Sequence, residues 1–102
     1  MKHIISISEC VDLRETEKGP CEVCATADAN YDVSKNRVAI RLASFLRPVP
    51  SRIGAEPFRE PWMPADETVT ECAPLEDADA LARDVFQSWV RRVREAETAP
   101  VT

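Results

Sequence analysis

Four cysteines are the residues with the most distinctive chemistry in this chain of 102 residues. Two of them, Cys21 and Cys24, are separated by two residues and directly follow a Gly-Pro turn signal. Two thiolates at this spacing can bind one side of a zinc ion, and Cys10 and Cys72 would complete a tetrahedral structural site. A small chain gains much of its stability from such a cross-link. The cysteines therefore predict a four-thiolate zinc site as one candidate.

The same cysteines have two other interpretations. The Cys21–Cys24 spacing looks like half of a zinc-ribbon knuckle, but a ribbon has a second close pair, whereas Cys10 and Cys72 are solitary. Free cysteine is among the most buried residue types, so buried thiols without metal are the first alternative. The second is a thiol-redox pair at Cys21 and Cys24. That chemistry needs a helix beginning at the motif to lower the thiol pKa, and residues 25–28 give little indication of one.

Other catalytic side chains are sparse. His3 is the single histidine, and a catalytic Cys–His pair with Cys10 or Cys72 would have to be assembled by the fold. The two glycines, Gly19 and Gly54, are isolated, so the chain contains no phosphate-binding loop. We therefore expect a protein that is not an enzyme and has no cofactor, unless it binds one structural zinc ion.

A proline-rich segment, 48–64, holds five of the eight prolines. Proline fixes φ and removes a backbone donor, so this segment is predicted to be an extended arm on the surface. The arm carries large apolar side chains that either contact a partner, as interface tryptophans often do, or fill the domain's own core. The candidate binding residues on it are Phe58, Trp62 and Met63.

The charge of the chain is unevenly distributed. A net charge of −5 argues against direct binding of nucleic acid or of an anionic membrane. Residues 34–62 carry six basic and two acidic side chains, whereas residues 63–82 carry six acids and no base. These acids either face solvent and pair within the fold, or form an acidic face that competes for a basic partner surface. The candidate binding residues in this segment are Asp66, Glu67 and Glu71.

The central elements that would position these residues have two interpretations. Apolar residues alternate in 30–33 and again in 37–42, which predicts a β-hairpin with a tight loop at 34–36. Alternatively, Ser34 caps a helix over 35–47 that ends before a proline. We favour the hairpin, or a strand that continues into a helical tail.

The terminal elements have clearer patterns. Residues 2–13 alternate around isoleucine and valine and predict a strand, and residues 67–72 predict a short edge strand. From 77 to 95, apolar residues recur at the spacing of one helical face, with acids near the first turn and arginines near the last. This pattern predicts a buried stripe on an amphipathic helix. The stripe comprises Ala78, Leu81, Ala82, Val85, Phe86, Trp89, Val90 and Val93.

Together these elements predict an α+β fold. A small antiparallel sheet from the N-terminal two thirds is packed by one C-terminal amphipathic helix (about 77–95), with the extended Pro-rich arm at 48–64. The length is that of one domain, expected over 1–97, and residues 98–102 are expected to form a frayed tail.

This inventory favours a non-enzymatic protein-interaction module. A small accessory or inhibitor protein of the phage or mobile-element type, which acts by occupying a partner surface, fits it. The alternatives are a domain stabilised by structural zinc and a small thiol-redox protein or enzyme. No apolar run is long enough to span a membrane, and the N-terminus does not have the pattern of a signal peptide, so we expect a cytoplasmic protein. The sequence leaves the identity of the partner and the oligomeric state open.

Overall fold

The structure is a computed structural model that describes residues 1–17, 19–49 and 60–96. Within these residues, five strands precede one helix. In order they are β1 (Lys2–Thr16), β2 (Gly19–Asp32), β3 (Arg37–Pro48), β4 (Glu60–Pro61), β5 (Asp66–Glu71) and α1 (Leu75–Glu95). The strand pairs are antiparallel. The predicted α+β fold, a sheet from the N-terminal part packed against one C-terminal helix, is confirmed.

The sheet is a three-stranded meander with an interrupted fourth position. β2 lies between β1 and β3, and the far edge of β3 pairs with both short strands. β4 pairs with Phe45 and Leu46, whereas β5 pairs with residues 37–42. Ala43 and Ser44 therefore lie opposite the gap between β4 and β5.

The hairpin between β2 and β3 confirms the favoured interpretation of the central region. A carboxylate oxygen of Asp32 accepts hydrogen bonds from the backbone N–H and the hydroxyl of Ser34, at 3.0 and 2.7 Å. Asn36 has φ of 49°, which asparagine tolerates better than most residues. Its side-chain oxygen accepts a hydrogen bond from the Tyr31 hydroxyl at 3.0 Å. Ser34 therefore lies in a turn and does not cap a helix over 35–47.

Helix α1 covers one face of the sheet. Beneath it, β2 presents small side chains, so the helix can approach the sheet closely. The exposed positions of α1 include Arg83, Gln87, Arg91 and Arg94, as the amphipathic pattern predicts. Leu81 and Val85 are half-buried at the border of the stripe. The buried alanines of β2 are Ala25, Ala27 and Ala29. The buried stripe of α1 is Ala78, Ala82, Phe86, Trp89, Val90 and Val93.

Helix α1 is amphipathic and carries charged residues at both ends. No helix in the described part of the chain is apolar enough over a sufficient length to cross a membrane. The first turn of α1 carries Glu76 and Asp77, and its last turn carries Arg92 and Arg94. Both sets of charges complement the helix dipole.

The structure describes the predicted arm, 48–64, at its two ends. Pro48 ends β3, and Glu60–Pro61 forms the two-residue strand β4 at the sheet edge, where proline is tolerated. Residues 50–59, which include the predicted binding residue Phe58, lie outside the described residues, as does the predicted tail at 98–102.

Candidate interaction surface

Trp62, a predicted partner contact, lies in the core. Its side chain is 5 % exposed, and its Nε1 donates a hydrogen bond to the carbonyl of Val93 at 3.2 Å. The guanidinium of Arg14 lies 5.3 Å from the centroid of the ring. The same guanidinium donates to the carbonyls of Arg94 and Ala96 at 3.3 and 3.0 Å. The domain therefore uses the ring to hold the last turn of α1, and Trp62 is not available to a partner.

The four cysteines do not converge. Cys21 pairs with Pro48 at one end of β3. Cys72 follows β5, and its N–H donates to the carbonyl of Asn36 at 2.8 Å, just beyond the other end of β3. β3 is 12 residues long, so these ends lie roughly 35 Å apart. The fold therefore does not assemble the predicted four-thiolate zinc site. Within the described residues, no group of three or more His, Cys, Asp or Glu side chains is arranged to hold a metal ion.

The Cys21–Cys24 motif lies within the extended strand β2. Cys21 belongs to the core under α1, whereas Cys24, three residues later, faces the opposite side of the sheet. In an extended chain their Cα atoms are roughly 10 Å apart, beyond the reach of a disulfide. The motif also does not begin a helix. The predicted redox pair therefore lacks both the required distance and a local cause for a lowered thiol pKa.

His3 has a carboxylate partner. Its Nε2 lies 2.8 Å from Oδ1 of Asp28, and both side chains are about half exposed. Cys10 is seven residues further along β1, roughly 23 Å away in an extended strand. Cys72 follows β5, which is separated from β1 by β2 and β3. The fold thus places neither thiol beside the histidine.

The acids of segment 66–79 are divided between two sides of the molecule. Asp66 lies on the helix side, where its Oδ2 is 3.6 Å from Nη1 of Arg92. Asp79 on α1 pairs with Arg83 one turn later, at 3.0 Å. The segment therefore does not present the continuous acidic face that would compete for a basic partner surface.

The side of the sheet turned away from α1 is covered by no described element, and we call it the open face. Successive residues of a strand alternate between faces, so the odd-numbered residues of β3 belong to the open face and the even-numbered ones to the core. The register places Glu67, Val69 and Glu71 of β5 on the open face, because their partners on β3 are odd-numbered. Val69 is 55 % exposed there.

Six residues on the open face form what we call the β3–β5 patch. Val69 and its register partner Ala39 form an apolar centre, and two arginines and two glutamates border it. Oε2 of Glu67 lies 3.6 Å from Nε of Arg41, and both side chains are more than half exposed. Exposed ion pairs of this kind contribute little stability, so these charges remain able to contact a partner. The patch comprises Arg37, Ala39, Arg41, Glu67, Val69 and Glu71.

A cleft of about 470 Å³ lies next to the patch, where the fourth strand is interrupted. Phe45, Pro61 and Met63 contribute apolar walls to it. Met63 is held in place because its N–H donates to the hydroxyl of Ser44 at 3.1 Å. The structure therefore places Glu67 and Glu71 in the patch and Met63 in the adjoining cleft, beside Ser44.

Comparison with known protein families, with curated proteins and with solved structures gives no match to this chain. The candidate surface is therefore inferred from the geometry of this structure alone. Sequence reasoning did not select Ala39, Phe45 or Val69 as site residues. The available signal was the alternation along β3, which places odd-numbered residues on the side that a single helix leaves uncovered.

Proposed function

We propose that this protein is a non-enzymatic interaction module that binds a protein partner through the β3–β5 patch and the adjoining cleft. The observation that carries the proposal is the exposure of Val69, 55 %, beside Ala39 on a sheet face that no described element covers. An apolar centre within a polar border is the usual organisation of a protein–protein interface. Such a module would act by occupying its partner's surface, as a small accessory or inhibitor protein does.

The charges around the centre favour a particular kind of partner. Arg37 and Arg41 on β3 face Glu67 and Glu71 on β5, so the border is balanced in sign. A polyanion such as nucleic acid would meet two carboxylates here, which opposes its binding. A protein surface with an apolar protrusion and charges of both signs around it is the complementary shape. Charges arranged in this way contribute to register and specificity more than to affinity.

We also propose that the protein acts in the cytoplasm. Its four cysteines form no disulfide bond in the structure, and the glutathione and thioredoxin systems of the cytosol maintain thiols in the reduced state.

Two matched variants test the proposed surface. Val69→Asp places a charge in the apolar centre, and Val33→Asp makes the same change in the β2–β3 turn, where the valine is 64 % exposed. Both valines are exposed, so both variants should fold, which circular dichroism would verify. Wild type and the two variants would be immobilised and exposed to a lysate of the source organism, and retained proteins quantified by mass spectrometry.

We expect at least one protein to be retained equally by wild type and Val33→Asp and to be reduced about tenfold or more by Val69→Asp, a loss of about 1.4 kcal/mol or more. Retention of the same proteins in the same amounts by all three chains would contradict the proposal.

A further inference from the structure

A row of three side chains crosses the open face from β1 to β3. Cys10 is the register partner of Cys24, and Cys24 is the register partner of Phe45. Directly opposed residues of an antiparallel pair have Cα atoms about 4.5–5.5 Å apart. Disulfides need a Cα separation of about 4.4–6.8 Å, so this pair meets the requirement that Cys21 and Cys24 do not.

A β-bulge fixes this alignment. The register between β1 and β2 shifts between Cys10 and Asp12, which leaves Val11 as the extra residue. Val11 is 9 % exposed and belongs to the core, and its carbonyl accepts a hydrogen bond from Nε of Arg94 at 3.2 Å. The bulge is thus anchored by α1, and Cys10 is held opposite Cys24 on the open face.

The two thiols differ in access to solvent. Cys10 is exposed, whereas Cys24 is 2 % exposed. An oxidant in solution therefore reaches Cys10 first, and Cys24 is protected from it but lies directly beside Cys10. This is the arrangement that a two-step exchange requires, with one attacking and one resolving thiol.

We propose that Cys10 and Cys24 form a site of reversible thiol–disulfide exchange, with a small-molecule disulfide of the glutathione class as the oxidant. The Cys10 thiolate attacks one sulfur of oxidised glutathione, the glutathione S–S bond breaks, and one glutathione leaves and takes up a proton. Cys24, after losing its proton, attacks the Cys10 sulfur of the mixed disulfide and displaces the second glutathione. Two protein thiols are oxidised to one disulfide, and one oxidised glutathione is reduced to two thiols.

The groups around Cys10 control the rate of this exchange. Partial burial of the sulfur raises the pKa of the Cys10 thiol, and the neighbouring Glu22 carboxylate, which accepts a hydrogen bond from it, raises that pKa further. Glu22 is in turn bound by Nε of Arg47. The thiolate is the reacting species, so exchange is slow at neutral pH and accelerates as the pH rises.

Peptide mapping of the full chain tests the site without any partner. The reduced protein would be incubated with an excess of oxidised glutathione, quenched with acid, alkylated and digested with trypsin and a glutamate-specific protease. The sequence has cleavage sites that release each of the four cysteines in a different peptide, because Glu9, Lys18, Glu22 and Glu71 separate them.

We expect the Cys10 and Cys24 peptides to be joined, with Cys21 and Cys72 alkylated. Cys72→Ser should give the same link, Cys10→Ser should abolish it, and Cys24→Ser should leave a glutathione on Cys10. Four alkylated cysteines in the wild type, a link between Cys21 and Cys24, or a persistent glutathione adduct on Cys10 would each overturn the proposal. None of these results depends on the proposed protein partner, so the two proposals fail separately.

Discussion

Replacing Trp62 by alanine should destabilise the fold directly. The side chain is 5 % exposed and its N–H is bonded to the carbonyl of Val93, so the change removes a buried ring and one hydrogen bond. Truncating a buried tryptophan to alanine costs about 3–5 kcal/mol, and the lost hydrogen bond lies within the upper part of that range. A domain of this size has about 5–15 kcal/mol of stability in total. The melting temperature should therefore fall by roughly 12 °C or more.

Two further variants separate the contributions to this loss. Trp62→Phe keeps most of the buried ring and removes the N–H donor, and we expect it to cost about 1–2 kcal/mol. Leu13→Ala removes an apolar side chain that is 66 % exposed, and it should change the free energy of unfolding by less than about 0.5 kcal/mol. Urea denaturation followed by far-ultraviolet circular dichroism measures all three. A loss below about 1 kcal/mol for Trp62→Ala would refute the assignment of this ring to the core.

Three other predictions follow from the packing, the charges and the thiols. Ala27→Leu should cost about 1–3 kcal/mol in urea denaturation, because the residue is 2 % exposed beneath α1 and the helix must move to admit the larger side chain. The hydrogen bond from Arg47 lowers the pKa of Glu22 from its ordinary value of 4.5. The stability that this hydrogen bond contributes is therefore fully present above pH 4.5 and is lost as the pH falls through the lower pKa of Glu22 in the folded state. The difference in the free energy of unfolding between wild type and Glu22→Gln should therefore shrink as the pH falls, as measured by acid denaturation. A difference that grows towards low pH would contradict this prediction. Oxidation of Cys10 and Cys24 closes a loop for which chain entropy allows a gain of up to about 3 kcal/mol. The oxidised chain should melt at a higher temperature in calorimetry, and an unchanged or lower value would show that the bond strains the strands.

The elements with strong periodicity were predictable from the sequence. The apolar stripe of α1 recurs over four turns, and its buried residues, such as Phe86 and Trp89, are those that the pattern selects. β2 was harder to recognise because Ala25, Ala27 and Ala29 fill its core-facing positions. Alanine has low β propensity, so the alternation in this strand is almost invisible until the helix that requires small side chains is in place.

The candidate surface depends on pairings that the sequence does not specify. From composition alone, Trp62 could contact a partner or fill the core. Which of the two occurs depends on whether its ring can reach the end of α1. The sequence indicated a strand around Val69, but its exposure follows from the register with Ala39 and from the face that α1 leaves open. Likewise, the Cys21–Cys24 spacing suggested a pair, whereas a single bulge at Val11 brings Cys10 opposite Cys24 instead.

The central claim is that a protein partner binds the β3–β5 patch, and the affinity of the purified partner tests it most directly. Isothermal titration calorimetry would compare wild type, Val69→Asp and Val33→Asp against the protein that wild type retains. We predict that the Val69→Asp chain binds at least about tenfold more weakly, while Val33→Asp stays within about twofold of wild type. Binding by Val69→Asp within twofold of wild type, or an equal loss in both variants, would contradict the claim.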